Sequence, residues 1–130
     1  MVRAAIRSCA LAGLVMAASS AAQAQGDQTI VMRCTFDGYT NQTLDYVVDL
    51  AAKTMTLTHT LTGISQPMVT HYSGRVTEVT DGEIVWTYTD PNRTVTDTLN
   101  RYSGQIVEHV VVSGDNITAL ESCRRQQKQF

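Results

Sequence analysis

An all-β fold of about eight antiparallel strands, closed as a small barrel or stacked as a sandwich, follows from three features of the sequence. From Thr29 onward, apolar and polar residues alternate with a period of two in one short segment after another. Clusters of Gly, Pro, Asn, Asp and Ser separate these segments, and no stretch in this region has the helical period that crossovers between parallel strands need. Every connection is short, which predicts a meander rather than a Greek key.

Residues 1–24 are set apart. Arg3 and Arg7 precede an apolar stretch, Ala10 to Ala18, and small residues lead to Ala22-Gln23-Ala24. That is the pattern of a secretory signal peptide. The apolar stretch is shorter than the roughly 20 residues that span a bilayer, and no second one follows, so no membrane span is expected. Cys9 lies before the apolar stretch rather than directly after it, which argues against a lipid anchor. The predicted mature chain is an exported, water-soluble domain of residues 25–130, and 130 less 24 leaves 106 residues, enough for one core. Losing Arg3 and Arg7 leaves eight Lys and Arg against twelve Asp and Glu, a net charge of −4 that excludes a nucleic-acid partner. Arg124, Arg125 and Lys128 form a basic cluster in a polar tail from about residue 124, read as a solvated end.

Export to an oxidising compartment leaves two thiols, Cys34 and Cys123, and one possible internal pairing. A disulfide is predicted between them. It closes a loop of 89 residues, from 34 to 123, and ties the first strand to the last.

In chain order, Thr29 to Phe36 places Ile30, Met32, Cys34 and Phe36 on one face. Asp37 to Asn41 supplies turn residues, and Leu44, Tyr46, Val48 and Leu50 then alternate against Asp45, Val47 and Asp49. Thr54 to Leu61 carries Met55, Leu57, His59 and Leu61 on one face and four threonines on the other, a solvated β-branched surface. Those threonines lack the stacked repeats of an ice-binding array. After the loop Gly63 to Pro67, Met68 to Thr80 is less regular, and Gly74 inside it marks a bulged strand or two short ones. Asp81-Gly82 predicts a tight hairpin turn with positive φ. Glu83 to Val112 reads as three consecutive strands, with Ile84, Trp86 and Tyr88 on one face of the first. In the next two, Asp97 shares a face with Val95 and Leu99, and Glu108 with Ile106. That mixed face predicts an edge position or a groove holding carboxylates. Ser113 to Asn116 turns the chain into a last short strand, Ile117 to Cys123.

Eight strands and a terminal Phe130 also suit an outer-membrane barrel, but Arg124 to Gln129 is not an apolar strand and the Thr-rich face cannot meet lipid.

Chemistry is sparsely signalled. His59, His71 and His109 fall on three strands without ligand spacing, so no metal site is expected. Asp45 and Asp49 share a strand face, and Asp97 and Glu108 can be strand neighbours; all four are read as solvated charges rather than an acid and base pair. Neither a nucleophile elbow nor a phosphate-binding glycine loop is present. The chain is expected to be non-enzymatic and free of cofactors. Three Asn-x-Thr sites, at Asn41, Asn92 and Asn116, are coincidences in a Thr-rich chain whose signal peptide looks bacterial.

Cys34 in an early strand, the Trp86 strand after a turn, Asn100-Arg101-Tyr102-Ser103-Gly104, and Cys123 before a basic tail ending in Phe130 form a layout. It resembles that of small exported β-proteins of Gram-negative bacteria with no assigned function, whose corresponding segment reads Asp-Arg-x-Thr-Gly. Ser73-Gly74-Arg75 and the Trp86 strand are also similar, more weakly, to the inhibitory loop and following tryptophan of periplasmic C-type lysozyme inhibitors. That resemblance implies an eight-stranded barrel with a disulfide joining its ends. The functional expectation is a periplasmic or secreted binding protein for an envelope or extracellular protein. Ser73, Gly74, Arg75, Asp97, Glu108 and Tyr102 are the candidate surface. Lysozyme inhibition and transport of a small apolar ligand in a barrel cavity are the alternatives.

Overall fold

The structure, a computed structural model, describes residues 28–126; the predicted signal peptide lies outside the described residues, as does the tail beyond Gln126. Eight strands follow one another: β1 (Thr29–Phe36), β2 (Gln42–Asp49), β3 (Thr54–Leu61), β4 (Met68–Val79), β5 (Glu83–Asp90), β6 (Arg93–Asn100), β7 (Gln105–Val112) and β8 (Asp115–Arg125). Each pairs antiparallel with the next, and β8 pairs with β1, so the meander closes into a barrel rather than a sandwich. Among the described residues, no helix is long and apolar enough to cross a membrane.

The period-two pattern becomes a division between lumen and outer wall, because successive side chains on a strand point to opposite faces. Met32, Leu44, Tyr46, Leu57, Ile84, Trp86, Val95 and Ile106 fill the lumen, while the threonines of β3 face outward or lie half-buried. At the β1–β8 seam Cys34 lies directly opposite Cys123, and the two form the predicted disulfide.

One local expectation is narrowed and two change. β4 is one continuous strand whose register shifts between Val76 and Glu78, the bulge announced by its irregular pattern. Gly74 is required two residues earlier for a different reason: a Cβ there would run into the Thr87 carbonyl oxygen. The β4–β5 turn at Asp81-Gly82 is tight but takes no positive φ, since Thr80 closes it instead. Its backbone N–H donates to the Glu83 carbonyl at 2.8 Å, and its hydroxyl oxygen accepts from the Glu83 N–H at 3.0 Å. The positive φ pair occurs at Ser113 and Gly114, which lets β8 begin at Asp115, inside the expected turn. β8 also runs on to Arg125, because Arg124 and Arg125 pair with Arg33 and Met32 of β1. The polar tail thus begins later than residue 124.

The connections β1–β2, β3–β4, β5–β6 and β7–β8 gather at one end of the barrel, and the other three connections at the opposite end. Tyr39, in the β1–β2 turn, marks the first end and Tyr102, in the β6–β7 turn, the second.

Candidate functional site

Three strands bring their inward carboxylates together. Asp97 of β6 lies opposite Trp86 of β5 on one side and Glu108 of β7 on the other. Glu108 lies opposite Ala119 of β8, and Glu121 is the next inward residue along β8, so it approaches Glu108 diagonally. All three are buried, at 0%, 5% and 0% exposure for Asp97, Glu108 and Glu121. One carboxylate oxygen from each lies within 4.8 Å of the others.

Tyr46 of β2 reaches into this cluster. Its hydroxyl is 3.0 Å and 3.3 Å from the two oxygens of Glu121 and 3.3 Å from Asp97 Oδ2. Trp86 Nε1 donates to Asp97 Oδ2 at 2.9 Å, and the Tyr46 and Trp86 rings pack with centroids 5.4 Å apart. Among the described residues, two buried side-chain oxygens have no hydrogen-bond partner, Asp97 Oδ1 and Glu108 Oε2.

Burial and mutual repulsion govern the charge state of this cluster. Burial, with the nearby Asp97 and Glu108 carboxylates, pushes Glu121 up to about 9. Burial and the Glu108 charge push Asp97 up to about 7 against the opposing Trp86 and Tyr46 hydrogen bonds. Glu108 is raised by burial too, with the Glu121 hydrogen bond and the Arg93 charge pulling it back. The Tyr46 phenol rises well above its ordinary value because it is buried beside carboxylates. At neutral pH the cluster therefore retains protons.

Glu108 also lines a depression of about 330 Å³ at the Tyr39 end, together with Phe36, Tyr39, Arg93 and Ile117. Arg93 is held there: its Nε donates to Asp90 Oδ2 at 2.7 Å and its Nη2 to the Tyr72 hydroxyl at 3.3 Å, with the guanidinium 5.6 Å from the Tyr72 ring centre. His59 Nε2 lies 2.8 Å from Gln42 Oε1, and burial followed by the Arg93 charge lowers its pKa. Beyond this interior lining, the same end exposes large apolar side chains: Tyr39 and Ile64 on connections, Met68 at the start of β4 and Ile117 near the start of β8.

The six residues expected to form a binding surface are not one surface. Asp97 and Glu108 come together as the shared face implied, but inside the lumen, because barrel closure turns that face inward. Ser73, Gly74 and Arg75 line a shallow depression of about 330 Å³ on the wall with Thr87, Tyr88 and Thr89. Tyr102 stands 82% exposed at the opposite end from Tyr39. His109 points outward, away from Asp97 and Glu108, and His71 pairs with Thr58 on the outer wall at 3.2 Å. Asp45 pairs with Arg33 at 2.8 Å, and Asp49 accepts the Ala52 N–H at 2.9 Å, so both serve local structure. Glu121 and Tyr46 were absent from the candidate set. The signal for each was phase: Glu121 stands two residues before Cys123, and Tyr46 stands between Leu44 and Val48.

Set against protein-family models, curated proteins and solved structures, the chain matches none of them.

Proposed function

We propose that this chain is an exported, non-enzymatic binding protein that presents the Tyr39 end of its barrel to a basic extracytoplasmic protein. The observation that carries this reading is the exposure of Tyr39, Ile64, Met68 and Ile117 around one barrel end. Large apolar side chains gathered on a rim are a common mark of a protein contact. Asp37 and Asp115 are exposed at the same end, while Arg93, which lines the depression there, is engaged by Asp90. An acidic rim on a predicted mature chain of net charge −4 suits a positively charged partner and gives a salt-sensitive association rate. Periplasmic or secreted location is supported by the signal-peptide pattern of residues 1–24 and by the disulfide.

The decisive measurement is capture of basic proteins from an envelope extract by the disulfide-bonded protein, repeated with Tyr39→Ala and Ile117→Ser. Both variants should lose the partner, and Tyr102→Ala should keep it. The reading fails if Tyr102→Ala releases the partner while the two rim variants hold it.

A narrower second reading is inhibition of C-type lysozyme. The closed eight-stranded barrel and the bond between its first and last strands favour it, whereas Ser73-Gly74-Arg75 lies within β4 and not in a loop. Purified protein titrated against a C-type lysozyme should abolish lysis near equimolar ratio, and a flat dose response removes the idea. Transport of an apolar ligand is less favoured, because Trp86, Tyr46, Leu44, Met55 and Leu57 pack the lumen.

A further inference from the structure

We infer that Asp97, Glu108 and Glu121, completed by the Tyr46 hydroxyl, form a binding site for one hard divalent cation of the Ca²⁺, Mg²⁺ or Mn²⁺ class. This goes beyond the contact surface proposed for the rim and does not depend on it.

Spacing supports it first. Hard divalent cations hold oxygen ligands at about 2.0 to 2.6 Å, so ligands on one ion lie within roughly 5 Å of each other. The three carboxylates meet that condition at 4.8 Å without rearrangement of the strands. The donor set is all oxygen, three carboxylates and a phenol, which selects hard ions over those that prefer nitrogen or sulfur.

The unpartnered atoms point the same way. A buried carboxylate oxygen with no hydrogen bond is costly, and each one in a folded protein calls for an explanation. Here there are two, Asp97 Oδ1 and Glu108 Oε2, and both belong to side chains more than nine-tenths buried. The other oxygen of Asp97 is held by Trp86 Nε1, the kind of outer contact that fixes a ligand's orientation.

Position and charge also fit. Glu108 is common to the cluster and to the depression at the Tyr39 end, so the cluster comes nearest to solvent on that side. Three carboxylates facing a divalent ion leave one negative charge over. Arg93 lines the same depression and, with its Nε already paired to Asp90, still acts on Glu108 through its charge.

The test is calorimetric titration of EDTA-stripped, disulfide-bonded protein with CaCl₂, MgCl₂ and MnCl₂ in turn, at pH 7.5 in two buffers of different ionisation enthalpy. One ion per chain should bind with a dissociation constant of about 1 mM or tighter for at least one metal, the range of extracellular calcium modules. Binding should release protons from the cluster, seen as a buffer-dependent enthalpy. Asp97→Asn and Glu108→Gln should each weaken binding by about tenfold or more, as loss of a ligand or its support does. Asp45→Asn, on the outer wall, should leave it unchanged. Should either cluster variant fail to fold, Tyr46→Phe, which deletes a single oxygen, and the titration of the unaltered protein still decide. Absence of saturable binding by all three metals to about 10 mM, well above that range, overturns the inference. So does wild-type affinity in the cluster variants.

Discussion

Raising the pH should destabilise the metal-free protein, and the carboxylate cluster sets by how much. A carboxyl group whose folded pKa lies above its unfolded value keeps a proton on folding that the unfolded chain gives up. Between the two values, stability therefore falls by about 1.4 kcal/mol per pH unit for each such group. The penalty is absent below the unfolded pKa and complete above the folded one. Glu121 moves from 4.5 up to about 9, and Asp97 from 3.8 up to about 7. From pH 6.5 to 8, Glu121 contributes its full slope and Asp97 contributes until it ionises near neutrality. Together they remove about 3 kcal/mol, a large part of a small domain's total stability. The lower limit is chosen for His59, whose depressed pKa gives the opposite slope as the pH falls below about 6.5. The assay is urea unfolding in EDTA at four pH values across that interval, followed by the fluorescence of Trp86. Glu121→Gln, which keeps the shape and loses the ionisation, should flatten the slope by about 1.4 kcal/mol per pH unit. Stability that is constant or rising with pH refutes the reasoning, as does an unaltered slope in the glutamine variant.

Two further outcomes test the frame around the cluster. Replacing both Cys34 and Cys123 with serine opens a closed loop of 89 residues and should cost about 4 to 5 kcal/mol by the chain-entropy estimate, read from the urea midpoint. Gly74→Ala drives a methyl group into the Thr87 carbonyl oxygen, with Met55 and Tyr88 each only 3.0 Å away, and should cost about 1 to 3 kcal/mol in the same experiment.

The strands were legible because each needs only a local pattern, and Cys34 with Cys123 named the seam because no other internal pair was possible. Asp97 and Glu108 were legible as a pair in phase with Val95, Leu99 and Ile106, yet that face was read as an edge or groove. Desolvating a carboxylate is expensive, so solvent is the better default for such a residue. What the local pattern does not hold is the register around a closed circuit. Trp86, Asp97, Glu108 and Ala119 form a continuous row only once β5 to β8 are aligned. Tyr46 arrives from β2, 51 residues from Asp97 and 75 from Glu121, and closure alone brings it there. The Asp81-Gly82 turn forms where expected, but without the positive φ that the dipeptide favours, because the Thr80 backbone and hydroxyl close it on Glu83.

The β1–β8 seam has a consequence for how this molecule behaves in company. A closed barrel has no free edge, but parting β1 from β8 would create two, each a row of unpaired backbone groups ready to accept a strand from another copy. Residue pairing across the seam covers Met32 to Phe36 on β1, with further backbone hydrogen bonds from Gln126 to Val31 and from Asp37 to Leu120, and the Cys34–Cys123 bond sits in the middle of it. Once oxidised, the chain holds those two edges to each other, which bars strand exchange between molecules. Before oxidation, backbone hydrogen bonds, the Ser122–Asp37 side-chain bond and packing in the lumen resist domain swapping, so the cysteine pair adds a covalent bar to strand exchange as well as stability.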